Sequence, residues 1–122
     1  MCVDARNNAR YDKPILLHVT ADVFRRIQSG EKTHEYRPRT SYYMSRLEKV
    51  RDYISYMNAQ MLSHHIYIDF RRAYEKSSPG NWLISRVKSI SFIRLKDAPF
   101  ELRKLYPKCM LEDWFYDIEL DS

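Results

Sequence analysis

A continuous run of strand-forming residues at positions 82–95 sets the first limit on how this chain can fold. Strands in globular proteins are usually about 3–10 residues long, so a longer strand has to bend or carry a bulge, as strands in small barrels do. Apolar residues stand at both odd-numbered and even-numbered positions of this run. Because alternate residues of a strand point to opposite faces, we expect both faces to be partly buried. The odd-numbered set is Leu83, Val87, Ile93 and Leu95, and the even-numbered set is Trp82, Ile84, Ile90 and Phe92.

The composition is that of one folded domain with a basic surface. The chain has 122 residues, of which 44% are hydrophobic and 30% are charged, so a core can form and disorder is not expected. Its formal net charge is +5, and 21 lysines and arginines accompany 10 tyrosines. Positive charge together with many aromatic rings is typical of proteins that bind nucleic acids or nucleotides, although a small domain can also be basic for solubility alone.

The cysteines and the hydropathy of the chain indicate the cellular compartment in which we expect the protein. Cys2 lies in the N-terminal arm and Cys109 near the other end of the chain, so no disulfide framework is expected. No apolar run reaches the length of a membrane span, and the first residues lack the apolar region of a signal peptide. We therefore expect a cytoplasmic protein without a membrane partner. The sequence does not indicate its oligomeric state.

The N-terminal third of the chain predicts a strand followed by a helix. Residues 1–13 are expected to form a flexible arm, and residues 14–122 a single domain. A short apolar run at Ile15–Val19 predicts the first strand. Thr20 is suited to cap the helix that follows, and Gly30 stands where the glycine after a helix C-terminus belongs.

The middle of the chain leaves two interpretations open. Thr40 or Ser41 is suited to cap a second helix, whose apolar positions recur at helical spacing. For residues 52–58 we expect a strand, because tyrosine and isoleucine favour a pleated surface. The alternative is that the helix continues through residues 51–62.

The C-terminal half predicts a hairpin, a short helix and a closing strand. Residues 66–74 alternate in polarity and predict a strand, and residues 77–81 are a turn cluster of the kind that closes a hairpin. Asp97 is suited to cap a short helix with Pro99 in its first turn. Residues 114–120 predict the last strand. Its expected inward residues are Trp114, Tyr116, Ile118 and Leu120, and its expected outward residues are Phe115, Asp117 and Glu119.

Residues 29–39 are rich in ionisable side chains and yet indicate an ordered element. A turn at Gly30 leads into a strand that ends at Pro38, with Lys32 at the mouth of the strand. Alternation then divides the strand between two faces. One face carries Thr33, Glu35 and Arg37, and the other carries His34 and Tyr36.

Lys32, Glu35 and Arg37 can therefore converge on one wall of a cleft. A cation, a carboxylate and a planar guanidinium together suit a phosphate, the edge of a nucleobase or an amide. The alternative that these residues leave open is a set of salt bridges that only holds the strand in place.

The order of elements and the pattern G-x-K-x-x-E-x-R resemble the ASCH domain of the PUA-like superfamily. The pattern is carried here by Gly30, Lys32, Glu35 and Arg37. A continuation seen in some ASCH proteins, including bacteriophage ones, is similar to Thr40, Tyr42, Tyr43, Arg46 and Leu47. The closing strand at residues 115–120 is similar to the last strand of the family, and the resemblance spans residues 14–121. It implies an α+β fold, a PUA-like small β-barrel of about five to six strands with two to three packed helices.

The resemblance also implies a cleft that binds RNA or a nucleotide-like small molecule, in which Tyr42 or Tyr43 stacks on a base. The expected ligand-binding residues are Lys32, Thr33, Glu35, Arg37, Arg39, Tyr42, Tyr43 and Arg46. We therefore expect a binding module.

Two further functions are alternatives. Some members of the family hydrolyse acetylated cytidine and one is reported as a ribonuclease, so Lys32 and Glu35 would be catalytic if this chain were an enzyme. The amidohydrolase members have threonine where this chain has Glu35, and their later glutamate has no counterpart near Lys96. An enzyme would then need a second carboxylate, for example Glu75 or Glu112. The other alternative is an interaction protein that blocks a host factor or sequesters a signalling nucleotide.

We expect neither a metal site nor a cofactor. The adjacent histidines His64 and His65 would point to opposite faces of a strand, and no carboxylate or cysteine stands at ligand spacing from them. Glycine-rich phosphate loops and nucleophile elbows are also missing from the sequence.

Overall fold

The computed structural model describes residues 15–73 and 79–121, which form five strands and three α-helices. In chain order the elements are β1 (Ile15–Val19), α1 (Ala21–Gln28), β2 (His34–Pro38), α2 (Ser41–Ala59), β3 (Tyr67–Arg72), β4 (Trp82–Arg94), α3 (Glu101–Leu105) and β5 (Trp114–Leu120). The predicted arm at residues 1–13, the carboxylate of Glu75 and part of the predicted turn at residues 77–81 lie outside the described residues. No helix in the described part of the chain is long and apolar enough to cross a membrane.

The strands form one curled sheet in the order β1-β3-β4-β5-β2. β1 runs parallel to β3, and every other neighbouring pair is antiparallel. The sheet curls into a half-barrel, with β1 and β2 as its two edges. This arrangement confirms the predicted α+β, barrel-like fold with helices packed on a small sheet.

The main core lies on one face of the sheet, which we call the inner face. Both α1 and α2 pack against it, and they contribute Phe24, Ile27, Leu47 and Ile54 to the same cluster as Ile68 and Ile118. A smaller core lies on the opposite, outer face, where Leu102 of α3 packs with Leu95 and Phe115. In the described part of the chain, helices therefore cover the outer face only near β5.

β4 is long and irregular, as the sequence predicts. Its pairing with β5 shifts in register between Val87 and Ser89, which marks a bulge. Val87 and Ile90 are both buried although they have opposite parity, because the bulge inserts one extra residue between them. The Lys88 carbonyl at this point accepts a hydrogen bond from Nδ2 of Asn58 at 3.2 Å.

The predicted strand at residues 52–58 is wrong, because these residues continue α2. Leu47, Val50 and Ile54 recur at helical spacing and are all buried against the inner face. This burial along one helical stripe outweighs the strand preference of the tyrosines between them. The helix ends at Ala59, and Met61 just beyond it has a φ of 56°.

Two predictions for the C-terminal part also need correction. Asp97 does not cap the short helix: it ends a 3₁₀ turn, and α3 begins at Glu101 with Leu102 N bonded to the Pro99 carbonyl. Phe115, expected to face outward into solvent, is fully buried because α3 covers that part of the outer face. Trp114, expected to point inward, is 43% exposed because it precedes the part of β5 that lines the core.

The residues that cap α1 and α2 and lead into β2 are those that the sequence predicts. Thr20 and Thr40 accept hydrogen bonds at the N-termini of α1 and α2, from Val23 N and Tyr43 N respectively. Gly30 follows α1 with a φ of +82°, a conformation that is unfavourable for residues with a Cβ atom. The chain thus reverses sharply after α1 and delivers Lys32 to the start of β2.

Candidate ligand-binding site

One guanidinium spans the gap between the two edge strands. Arg37 on β2 donates from Nη2 to the backbone carbonyl of His18 on β1, at 2.9 Å. It donates from Nη1 to the hydroxyl of Tyr43 on α2, also at 2.9 Å. In a closed barrel, backbone hydrogen bonds would join such strands. Here the side chain of Arg37 takes their place, and we call this gap between β1 and β2 the seam.

Glu35 occupies the buried side of the seam. Only 7% of this residue is exposed, and its carboxylate accepts a hydrogen bond from Tyr36 N at 2.9 Å. Its other oxygen lies 3.4 Å from Nη2 of Arg37, and Lys32 Nζ lies 3.9 Å from the carboxylate. A buried carboxylate is tolerated only with such partners. The structure therefore brings together Lys32, Glu35 and Arg37.

The two faces of β2 follow the predicted alternation. Glu35 pairs with Ile118 and Arg37 with Tyr116 across the sheet, so both side chains are on the inner face. His34 lies on the outer face, where Nδ1 is 2.6 Å from Oδ1 of Asp117. His34 is therefore engaged in a separate pair and is not part of the seam.

The three charged side chains of the seam are largely covered. The exposed fractions of the Lys32, Glu35 and Arg37 side chains are 18%, 10% and 13%. Lys32 and Thr33 line a hollow of about 360 Å³, together with the end of α1 and residues 120–121. Of the three charges, Lys32 is thus the one next to an open space, whereas Glu35 and Arg37 are mainly used within the protein.

A second hollow, of about 290 Å³, lies between β1 and α2. Its lining residues are Ile15, Leu16, His18, Tyr42 and Arg46. Tyr42 is 55% exposed, and the Arg46 guanidinium carbon lies 3.6 Å from the centroid of its ring. We call this space the tyrosine hollow. It adjoins the seam, because the His18 carbonyl that holds Arg37 belongs to a residue that lines the hollow.

The two adjacent tyrosines have different environments. Tyr43 packs against the main core and accepts the hydrogen bond from Arg37, so its ring and hydroxyl are already used. Tyr42 meets the edge of Tyr43 at a centroid distance of 4.9 Å and faces solvent. Of the two predicted stacking residues, Tyr42 is thus the one with a surface that a ligand could reach.

Arg39 lies apart from the seam. It donates to Glu48 at 2.8 Å, and its guanidinium lies 4.9 Å from the ring centroid of Phe92. The hydroxyl of Tyr116 donates to the same carboxylate at 2.7 Å, and burial together with this carboxylate raises the pKa of Tyr116 to about 12. Of the expected ligand-binding residues, the three arginines therefore lie in three different places: Arg37 in the seam, Arg39 beside Glu48, and Arg46 at the tyrosine hollow.

Sequence reasoning missed two residues next to the site. His18 contributes a backbone carbonyl to the seam and lines the tyrosine hollow, but nothing in its sequence context indicated either role. Tyr106, after α3, is partly buried, and burial raises its pKa while the nearby positive charge of Arg37 lowers it. The position of Tyr106 follows from the packing of α3, and the sequence carries no signal for it.

Groups for metal or covalent chemistry are not assembled here. In residues 15–73 and 79–121, no cluster of histidine, cysteine, aspartate and glutamate could hold a metal ion. Burial raises the pKa of Cys109, which opposes formation of a reactive thiolate. Glu112 pairs with Arg94 and with Lys96 rather than with a residue of the seam, and it does not supply the second carboxylate that an enzyme would need.

Comparison with known proteins leaves the family open. No family model, curated protein or solved structure matches the chain, so its resemblance to ASCH domains stays a prediction.

Proposed function

We propose that this protein binds a nucleotide unit, either free or within single-stranded RNA, at the tyrosine hollow beside the seam. The observation that carries the proposal is the exposed ring of Tyr42 with Arg46 packed on it, at the rim of a hollow that adjoins a positively charged seam. An aromatic ring next to a guanidinium is the combination that base stacking and phosphate binding use together.

The size of the tyrosine hollow suits one planar ring. Its volume of about 290 Å³ is at the lower limit of pockets that enclose small molecules, so it would hold a base rather than a large cofactor. Leu16 and His18 line the wall opposite α2 and offer an apolar surface and an imidazole. Stacking on an aromatic side chain contributes about 1–3 kcal/mol per base.

The charged residues take separate roles in this proposal. Arg46 would contact a phosphate or stack on a base beside Tyr42, while Arg37 holds the two edge strands at the distance that forms the hollow. Glu35 holds Lys32 and Arg37 in place and is a positioning residue. The net charge of +5 would attract RNA from a distance and give binding that weakens with salt.

An enzyme is a weaker alternative. The carboxylate beside Lys32 belongs to Glu35, which already accepts hydrogen bonds from Tyr36 and Arg37. No other carboxylate among the described residues lies within 4.0 Å of the Lys32 ammonium. A ribonuclease or amidohydrolase would need a free acid or base at this point.

The proposal is tested by titrating the protein with uridine monophosphate and with fluorescein-labelled oligouridylate. We expect Tyr42→Ala to weaken binding about 5- to 150-fold, the equivalent of one stacked base, and Tyr42→Phe to retain most of the affinity. Arg46→Ala should weaken binding and reduce its salt dependence.

Arg25→Ala is a matched control for Arg46→Ala. It also removes one helical arginine that is exposed, but its partner is Asp22 on α1, away from both edge strands. We expect it to change affinity only slightly. Equal affinities of the wild-type protein and Tyr42→Ala, or no binding of either probe at low salt, would overturn the proposed function.

A further inference from the structure

Within residues 15–73 and 79–121, no element covers the outer face of the sheet over β1, β3 and β4. Along β1 the buried residues Leu17 and Val19 face the inner core, so Leu16 and His18 face outward. Leu16, Trp82 and Ile84 are 47%, 41% and 60% exposed. An apolar sheet surface without a covering element is unusual in a small soluble domain and commonly marks a binding surface.

The strand register orders this surface into two rows. Leu16 pairs with Asp69, which pairs with Ile84. In the next row His18 pairs with Arg71, which pairs with Trp82. We call these six residues the outer platform. Neighbouring strands are about 4.8 Å apart, so each row crosses three strands over about 10 Å.

Arg71 packs against the ring of Trp82. Its guanidinium carbon lies 4.3 Å from the ring centroid, and Nε and Nη2 both donate to Oδ2 of Asp69, at 3.2 and 2.8 Å. Asp69 thereby fixes the orientation of the guanidinium, and Nη1 is left as a donor that this carboxylate does not use. A guanidinium plane and an indole are both surfaces on which nucleobases stack.

The outer platform is continuous with the tyrosine hollow through His18. His18 lines the hollow with Tyr42 and Arg46, and it is also the cross-strand neighbour of Arg71. From α2 to β4 the surface therefore presents a tyrosine with an arginine, then a histidine, then an arginine with a tryptophan. Alternating rings and cations along one line are what a single nucleic-acid strand requires of its binding surface.

We propose that the outer platform is the second part of an extended single-stranded RNA site. A strand with one base in the tyrosine hollow continues past His18 and stacks another base on the Arg71–Trp82 pair, with Arg71 Nη1 directed to a phosphate. This inference rests on the proposed function, and it adds that the ligand is an RNA segment of several nucleotides rather than a free nucleotide.

Charge favours RNA over an apolar protein partner at this surface. The one carboxylate of the outer platform, Asp69, is neutralised by Arg71, and the chain as a whole carries a net charge of +5. RNA is therefore not repelled, and the cation at each ring can contact the phosphate of the base stacked there. A second copy of the chain would be repelled, because both copies carry a net positive charge. Self-association is nevertheless one outcome of the test below.

The experiment uses Trp82 as its own reporter. In a Trp114→Phe background Trp82 is the only tryptophan, and a base stacked on its ring quenches its fluorescence. Uridine monophosphate and oligouridylates of increasing length are titrated against this protein. We expect the longer oligouridylates to bind about 5- to 150-fold more tightly than the mononucleotide and to quench Trp82, and the mononucleotide to leave its emission unchanged.

Two variants isolate the role of the platform. Trp82→Ala should abolish the increase in affinity with oligouridylate length and leave the affinity for the mononucleotide unchanged. Trp114→Ala is the matched control, because Trp114 is 43% exposed and lies 4.7 Å from the Arg94 guanidinium but belongs to β5 and contacts Phe92. It should change neither affinity.

The outcomes separate this inference from the proposed function. If the mononucleotide binds in a Tyr42-dependent manner but the gain with length is absent or insensitive to Trp82→Ala, the outer platform is not an RNA surface and the proposed function stands. If oligouridylates require Trp82 but not Tyr42, the platform stands and the tyrosine hollow is wrong. A blue shift of Trp82 emission with protein concentration alone would identify the platform as a self-association surface and overturn the inference.

Discussion

Replacement of Arg37 by methionine should destabilise the protein strongly, because it opens the seam and leaves Glu35 with only the more distant cation of Lys32. Arg37 donates to the His18 carbonyl and to the Tyr43 hydroxyl. In its ion pair with Glu35, the Arg37 side chain is 13% exposed and the Glu35 side chain 10%. Breaking a buried ion pair by removing one partner costs about 3–5 kcal/mol. We expect a loss of this size in the free energy of unfolding, which is a large fraction of the roughly 5–15 kcal/mol typical of a domain.

The assay is urea denaturation followed by far-ultraviolet circular dichroism. Adding Glu35→Gln to Arg37→Met should recover about 1–3 kcal/mol, because the neutral amide removes the buried charge that has lost its nearer partner. Arg37→Lys keeps the charge but not the two-pronged contact, and we expect an intermediate loss. A loss below about 1 kcal/mol for Arg37→Met, or no recovery in the double variant, would refute the reasoning that Arg37 joins the two edge strands.

Two further predictions concern stability. His64 is 2% exposed and burial lowers its pKa, with a further decrease from the charge of Arg86, so the unfolded chain takes up a proton at a higher pH than the folded protein does. The contribution of His64 to the free energy of unfolding should therefore be constant above about pH 6.5 and fall as the pH is lowered below it. His64→Gln should flatten that part of the profile in urea titrations at a series of pH values. Gly30→Ala should lower the free energy of unfolding by about 1 kcal/mol because of its positive φ alone, since a Cβ at this position meets no atom within 4 Å; an unchanged value in thermal or urea unfolding would contradict that.

Local rules predicted much of the fold. The capping threonines Thr20 and Thr40, the turn at Gly30 and the bulge within β4 follow from side-chain and backbone chemistry that acts over a few residues. The separation of Glu35 and Arg37 from His34 on β2 follows from strand alternation in the same way.

Tertiary packing decided the rest. Residues 52–58 have strand-forming side chains, but the long inner face of the sheet buries a helical stripe, and that burial sets their structure. Phe115 alternates outward and is nevertheless buried because α3 covers it. Neither outcome could be predicted without knowing which elements meet.

The site shows the same division between local and long-range causes. The sequence indicated that Lys32, Glu35 and Arg37 share a face, and they do. It could not indicate that Arg37 would bind the carbonyl of His18, because every residue has a carbonyl and only the curl of the sheet selects this one. It also could not decide which of the two adjacent tyrosines would be exposed, since that depends on how α2 packs on the inner face of the sheet.

The measurement that tests the central claim most directly is a nuclear magnetic resonance titration of the isotopically labelled protein with uridine monophosphate. If a nucleotide binds beside the seam, the amide signals of His18, Tyr42 and Arg46 will shift with a common saturation curve, and those of α3 will not. Signals that stay in place at saturating nucleotide, or shifts confined to residues away from β1 and the start of α2, would contradict the account.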